Sequence, residues 1–169
     1  MSFVLDDATR LTRRGERSYT ANADPRFLNV RGMFGGWVAA LTCAGVEVDE
    51  QYRGTIISHT VNFHQAVDLE EVSVQVTLVD QRRRLDFWEV DLLSQSGQSL
   101  AHAMVVSGLR SPTEMTFETE APERRAAEDC IALPRSPQAP AWFSHYDMRL
   151  AKGRPFQRND APASTTYIR

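Results

Sequence analysis

The sequence predicts an α+β fold in which an antiparallel β-sheet wraps around one long, buried central α-helix. Three observations carry that expectation: an apolar run headed by two glycines, four later stretches with two-residue periodicity, and short connections between them. The run Val38-Ala39-Ala40-Leu41-Thr42-Cys43-Ala44-Gly45-Val46 is apolar on nearly every side, and a helix of that kind belongs inside a protein. Phe34-Gly35-Gly36-Trp37 opens it. Glycines at a helix start leave bare backbone N–H groups facing whatever binds at the tip.

The strands follow in order. Over residues 56–63, Ile57, His59, Val61 and Phe63 share one face, while Ser58, Thr60, Asn62 and His64 share the other. The next run places Val72, Val74, Val76 and Leu78 opposite Ser73, Gln75, Thr77 and Val79. Residues 85–93 and 100–109 complete the set, joined by Ser94-Gln95-Ser96-Gly97-Gln98, whose glycine suits a tight hairpin turn. Consecutive strands with short connections favour antiparallel pairing.

Taken in order, Met33-Phe34-Gly35-Gly36-Trp37-Val38-Ala39-Ala40-Leu41, Ser58-His59-Thr60-Val61-Asn62-Phe63 and Gln98-Ser99-Leu100-Ala101-His102-Ala103 resemble the hotdog fold of acyl-CoA thioesterases. More closely, they resemble the thioesterase-like superfamily of tandem, double-hotdog enzymes related to bacterial acyl-CoA thioesterase II. The resemblance extends from Leu5 to Leu109. It implies a hotdog domain over residues 1–110, a Pro-rich charged linker over 111–141, and the opening strands of an incomplete second hotdog repeat over 142–169. Ser111-Pro112 opens the linker, which also holds Pro122, Pro134, Pro137 and Pro140; such composition predicts extended chain with one helical turn around 123–129. Residues 142–150 and 165–169 each resemble a strand. In the resembled family the catalytic Asp, Ser or Thr, and Gln come mainly from the second repeat. The resemblance therefore assigns no catalytic residue here beyond the helix tip at Gly35 and Gly36.

Composition narrows the class further. A chain of 169 residues with 42% hydrophobic content can bury a packed core. Net charge is −3, with no long run of one sign, so neither nucleic acid nor a membrane surface is suggested as partner. Cys43 falls in the buried helix and Cys130 in the linker, a pattern that argues against a disulfide framework and for a reducing, cytoplasmic setting. The start, Met1-Ser2-Phe3-Val4-Leu5-Asp6-Asp7, lacks the basic and apolar segments of a secretory signal. No run approaches the ~20 apolar residues of a transmembrane helix.

Attack of water on a thioester builds negative charge on the carbonyl oxygen, and helix N-terminal N–H groups are placed to stabilise it. Gly36 is the expected catalytic donor, with Phe34, Gly35 and Trp37 around the substrate; the same glycine pair would also serve simply to turn the chain into a packed helix. Water activation needs an acid or base. Single-hotdog thioesterases often carry a carboxylate two turns into this helix, but Leu41-Thr42-Cys43-Ala44 offers none, and Glu47 and Asp49, at the far end, are expected to be solvated. His64, beside Asn62 on the polar face, is the candidate base or substrate contact. His59 and His102 are expected to be structural. Arg82-Arg83-Arg84 occupies a hairpin, where Arg82 and Arg83 either meet coenzyme A phosphates or form a solvated turn. Cys43 lacks a visible base partner, and no histidine has metal-ligand spacing.

Two classes of function follow. One is an acyl-CoA thioesterase-like enzyme that needs no cofactor, coenzyme A being part of its substrate. The other is a non-catalytic acyl-thioester-binding or assembly module lacking the catalytic second repeat. Either is expected to form at least a homodimer, with Trp88, Asn62 and His64 near the covered surface.

Overall fold

The computed structural model describes residues 3–112, 117–120, 125–153 and 165–168. The chain divides into two compact units, Met1–Pro112 and Thr113–Arg169. In the first, helix α1 (Val4–Ala8) precedes strands β1 (Thr12–Gly15) and β2 (Ser18–Asn22), a 3-10 turn at Pro25–Phe27, and helix α2 (Gly35–Glu47). Strands β3 (Thr55–Phe63), β4 (Glu71–Gln81), β5 (Leu85–Leu93) and β6 (Ser99–Gly108) follow. All six pair antiparallel in one sheet of order β1-β2-β4-β5-β6-β3. One long helix against one antiparallel sheet is the expected α+β arrangement.

Alternation in β4, β5 and β6 builds the core. Val72, Val74, Val76, Val90, Leu92, Ala101, Ala103 and Val105 are buried with Trp37, Val38, Leu41 and Val46 of α2. Trp88 belongs to this inner set: it is 1% exposed, and its indole N–H donates to Ser107 Oγ at 3.1 Å. That corrects the expectation of Trp88 near an outer surface. Leu85 and Phe87 lie on the exposed face of β5 with Glu89, because the polar indole edge finds a partner inside.

Four further details depart from the sequence reading. Strand β3 pairs with β6, not with its chain neighbour β4, and so forms a sheet edge. A bulge between Ile56 and Ser58 interrupts its alternation, which leaves Ile57 58% exposed beside Gly108 instead of in line with His59. Helix α2 is not enclosed on every side: Gly36 and Glu47 are exposed, and Ala39, Ala40 and Cys43 are half-buried between them. Strand β1 gives no alternation signal, since it is exposed throughout, whereas β2 buries Tyr19 and Ala21. The β1–β2 turn holds Arg17 in the left-handed region at φ 51°, rare for a residue with a Cβ.

The second unit contains a 3-10 turn at Ala127–Asp129, strand β7 (Ile131–Ala132), a 3-10 helix at Ala141–His145, and strands β8 (Met148–Lys152) and β9 (Thr165–Ile168). These strands form a sheet of order β7-β8-β9. The expected turn around 123–129 occurs at its C-terminal end, with residues 123–124 outside the described residues; Arg169, in the last expected strand, is also outside them. The strand expected from residue 142 begins only at Met148. Pro140 precedes a 3-10 helix instead, where Trp142 packs on Phe143 and Tyr146 with ring centroids 5.1 and 5.9 Å apart. Cys130 is buried in this unit, and its thiol donates to the Ala126 carbonyl at 3.2 Å. Among the described residues no helix is long and apolar enough to cross a membrane.

Helix α2 lies so close to the sheet that a Cβ on Gly45 would meet Val74 Cγ1 at 3.0 Å and Val76 Cγ2 at 3.1 Å. Gly45→Ala gains about 1 kcal/mol of helix propensity against these tight contacts and is expected to match the parent in urea unfolding. Gly45→Leu overpacks the same valines and is expected to lose about 3 kcal/mol.

Candidate active site

The tip of α2 is framed by two loops that backbone hydrogen bonds hold together. Met33 N–H donates to the Val67 carbonyl and Phe34 N–H to the Phe27 carbonyl, both at 2.8 Å. Gly32, at φ +76°, lets the 64–67 loop approach: a Cβ there would be 2.5 Å from the Val67 carbonyl oxygen. Only glycine fits that combination of angle and contact.

Within α2, Trp37 N–H and Val38 N–H donate to the Phe34 carbonyl at 2.9 and 3.3 Å. The first two, Gly35 N–H and Gly36 N–H, have no acceptor among the described residues. Two aromatic rings flank them. A Cβ on Gly35 would touch Phe63 Cζ at 3.4 Å, and one on Gly36 would collide with the Phe34 ring. The space beside Gly36 that was expected to admit substrate is thus occupied by Phe34, and the approach to the tip lies on the Gly35 side.

That side opens on a pocket of about 330 Å³ lined by Met33, Gly35, Val38, Phe63, His64, Gln65, Ala66 and Val67. His64 lies just beyond the end of β3, so strand alternation no longer governs it. Its N–H donates to the Leu100 carbonyl at 2.9 Å, its Nδ1 is hydrogen-bonded to Ser99 Oγ at 2.8 Å, and its Nε2 has no partner among the described residues. Gln65 braces the same loop, its Nε2 donating to the Ser99 carbonyl at 3.3 Å.

The structure therefore brings Gly35 and His64 to one pocket, with Gly36 and Phe34 beside it. Trp37, expected to touch substrate, is a core residue instead: it is wholly buried, and its indole N–H donates to the Ala8 carbonyl at 2.8 Å. Asn62 faces away from the pocket, in register with His102, which itself binds Asp91 Oδ1 through Nδ1 at 2.9 Å. Arg82 and Arg83 sit at the opposite end of the sheet. Arg82 pairs with Asp80 at 2.6 Å, and the following strand begins with Leu85 against Gly108, the partner of Thr55. Thr55 and Phe63 stand at the two ends of β3, about 25 Å apart by strand rise.

The sequence reading missed Val67, Gln65 and Ser99, whose positions depend on which loop meets which hairpin end. Local pattern carries no signal for that.

These features leave the family to be decided by comparison. Residues 23–108 match the family model described as the acyl-CoA thioesterase N-terminal domain. The chain belongs to this thioesterase family. Among solved structures, a hotdog-fold protein of unknown function from Alicyclobacillus acidocaldarius superposes with a TM-score of 0.90 at 21% identity, covering 100% of this chain and 63% of that one. The acyl-CoA thioesterase II TesB2 of Mycobacterium marinum gives 0.75 at 14% identity, covering 98% of this chain and 60% of that one. At such identities the likeness shows the hotdog fold, and the chain spans under two thirds of either structure's length. A search of curated proteins finds no match.

The pocket at the α2 tip carries no Asp, Glu, Lys or Arg in its lining; beyond the other end of the helix two carboxylates are buried in ion pairs. Asp49 was expected to be solvated, yet its side chain is 5% exposed. Arg17 Nε donates to its Oδ2 at 2.8 Å, and its Oδ1 accepts from Gln51 N–H at 2.9 Å. The left-handed turn at Arg17 is what brings that guanidinium within reach. Arg53 holds Asp86, 1% exposed, through Nε and Nη2. At mid-helix, Thr42 Oγ1 donates to the Ala39 carbonyl at 2.8 Å and lies 3.0 Å from His59 Nε2. Burial raises the Cys43 thiol above its ordinary value of 9.0, with Glu47 adding to the effect, so a nucleophilic thiolate is disfavoured there.

Burial lowers the His59 imidazole below its ordinary 6.5. As pH falls through 6.5 the unfolded chain takes up a proton that folded His59 still refuses, so this residue makes stability decline toward acid. His59→Gln is expected to flatten the pH dependence of unfolding free energy just below 6.5, as read by urea titration. Joint reversal of Arg82 and Arg83 to Glu is expected to leave acyl-CoA affinity within about twofold of the parent by calorimetry, since exposed charges that far from the tip are largely screened.

Proposed function

We propose that this chain carries the acyl-thioester site of an acyl-CoA thioesterase, with the α2 tip holding the thioester carbonyl and His64 activating water. The observation that supports the reading best is the meeting, at one pocket, of the Gly35 N–H without an acceptor and an imidazole nitrogen without a partner, with the open Gly36 N–H next along the helix. Membership of the thioesterase family supplies the substrate class.

In this reading Met33, Val38 and Val67 receive the acyl chain, and the carbonyl oxygen accepts from Gly35 N–H and Gly36 N–H. His64 Nε2 takes a proton from water as the water oxygen bonds to the carbonyl carbon. The helix macrodipole and the two N–H groups stabilise the oxyanion. Collapse breaks the C–S bond, and the imidazolium returns its proton to the departing thiolate, giving a free acid and coenzyme A. Hydrolysis by these groups calls for no cofactor. Reduced Cys43 and Cys130 fit a cytoplasmic setting. Self-association, at least to a dimer, is part of the proposal: β3 is an edge strand, and Phe63 beside the tip is 56% exposed.

One observation favours the second reading, a non-catalytic acyl-thioester-binding or assembly module. Among the residues lining the pocket there is no carboxylate, so water activation rests on a single histidine.

Gly35→Pro separates the two. Proline is favoured at the first helical position, and Phe34, at φ −61° and ψ 130°, already has the extended backbone that a following proline requires. The variant thus removes one donor from a helix expected to fold normally. Thiol release from short, medium and long acyl-CoA substrates is expected to fall by about 100-fold in Gly35→Pro and to stay near the parent in Gly35→Ala. Absence of release in the parent, with acyl-CoA still raising its melting temperature, would select the binding module. Sedimentation at micromolar concentrations is expected to show a dimer.

A further inference from the structure

The His64 ring is tied to its surroundings through one nitrogen only. Ser99, the first residue of β6, reaches Nδ1 at 2.8 Å. Main-chain bonds from His64 N–H and Gln65 N–H to the Leu100 carbonyl, at 2.9 and 3.2 Å, fix the distance between the two segments. A serine hydroxyl can accept or donate, so its partner's tautomer depends on which it does. If Ser99 Oγ accepts from Nδ1–H, then Nε2 bears the lone pair and acts as a base. If Ser99 donates instead, Nε2–H is a donor and cannot deprotonate water.

We infer that Ser99 is a positioning residue for His64: its hydroxyl accepts the Nδ1 proton, fixes the ring against rotation, and leaves Nε2 as the unprotonated nitrogen at the pocket. This rests on the proposed role of His64 as the base. Ser99 touches no reacting atom; it acts through the imidazole alone, as the partner on the far nitrogen of a histidine commonly does. Gln65, bound to the Ser99 carbonyl at 3.3 Å, holds the serine backbone rather than the ring.

The test uses the full chain with 15N-labelled histidine at alkaline pH, where the imidazoles are neutral. The parent is expected to show His64, assigned by its loss in His64→Gln, with a protonated Nδ1 and an unprotonated Nε2. Ser99→Ala is expected to shift the ring toward the Nε2–H form that solvated imidazole prefers, and Ser99→Thr, which keeps the hydroxyl, to restore the parent spectrum. In thiol release, Ser99→Ala is expected to lower kcat about tenfold with KM unchanged, and Ser99→Thr to recover it. A parent ring protonated at Nε2, or a ring unaltered by Ser99→Ala, overturns the inference. Thiol release undiminished in His64→Gln overturns the catalytic reading of His64 instead, while the ring nitrogens still report whether Ser99 sets the tautomer.

Discussion

The close seat of α2 on β4 and β5 is the constraint on which the rest of this domain depends. At Gly45 even a Cβ would press on Val74 and Val76, with Val90 just beyond, so a side chain larger than a methyl group would push the helix off the sheet. From that point the helix has one direction available, and Trp37, Leu41 and Val46 fill the space between it and the sheet with essentially no exposed surface. The position of the tip is therefore a product of core packing well away from it. Two loops then lock what packing has placed, the 64–67 segment bonding to the 32–33 turn across a glycine that admits no side chain.

Charge is distributed along the helix to opposite effect at its ends. Beyond its C-terminus, Asp49 and Asp86 are buried and each is bound by a guanidinium; burial of a carboxylate requires such a partner. These pairs tie the loop after the helix to the β1–β2 turn and to β5. At the N-terminus the pocket lining contains no charged side chain, so the dipole and the two free N–H groups act without a competing anion. A tip left in this state stabilises charge that arrives with a ligand or develops on one.

Much of this was legible in the sequence. The apolar run after Gly35-Gly36 and the alternation of Val72, Val74 and Val76 specify their elements through local pattern alone, and the glycine pair marks the helix start. What local pattern cannot report is pairing between distant segments. His64 was assigned to the polar face of a strand that in fact stops at Phe63, and its neighbour Ser99 becomes one only because β3 joins β6. Trp37 and Trp88 were misplaced for a related reason: an aromatic with one polar atom can lie at a surface or in the core, and the acceptor that decides the matter, Ala8 for one and Ser107 for the other, is far away in the chain. Asp49 follows the same rule, its burial licensed by an arginine in a hairpin whose exposed residues give no periodic signal.

The irregularity in β3 bears on how the domain meets its neighbours. An edge strand with an uninterrupted row of open N–H and C=O groups can recruit further strands without limit, the route to fibrous aggregation. Here the bulge between Ile56 and Ser58 breaks the row, so only the segment from Ser58 to Phe63 presents a regular ladder. A strand added there finds a short template with a defined end. The bulge thus caps how far any pairing along this edge could extend.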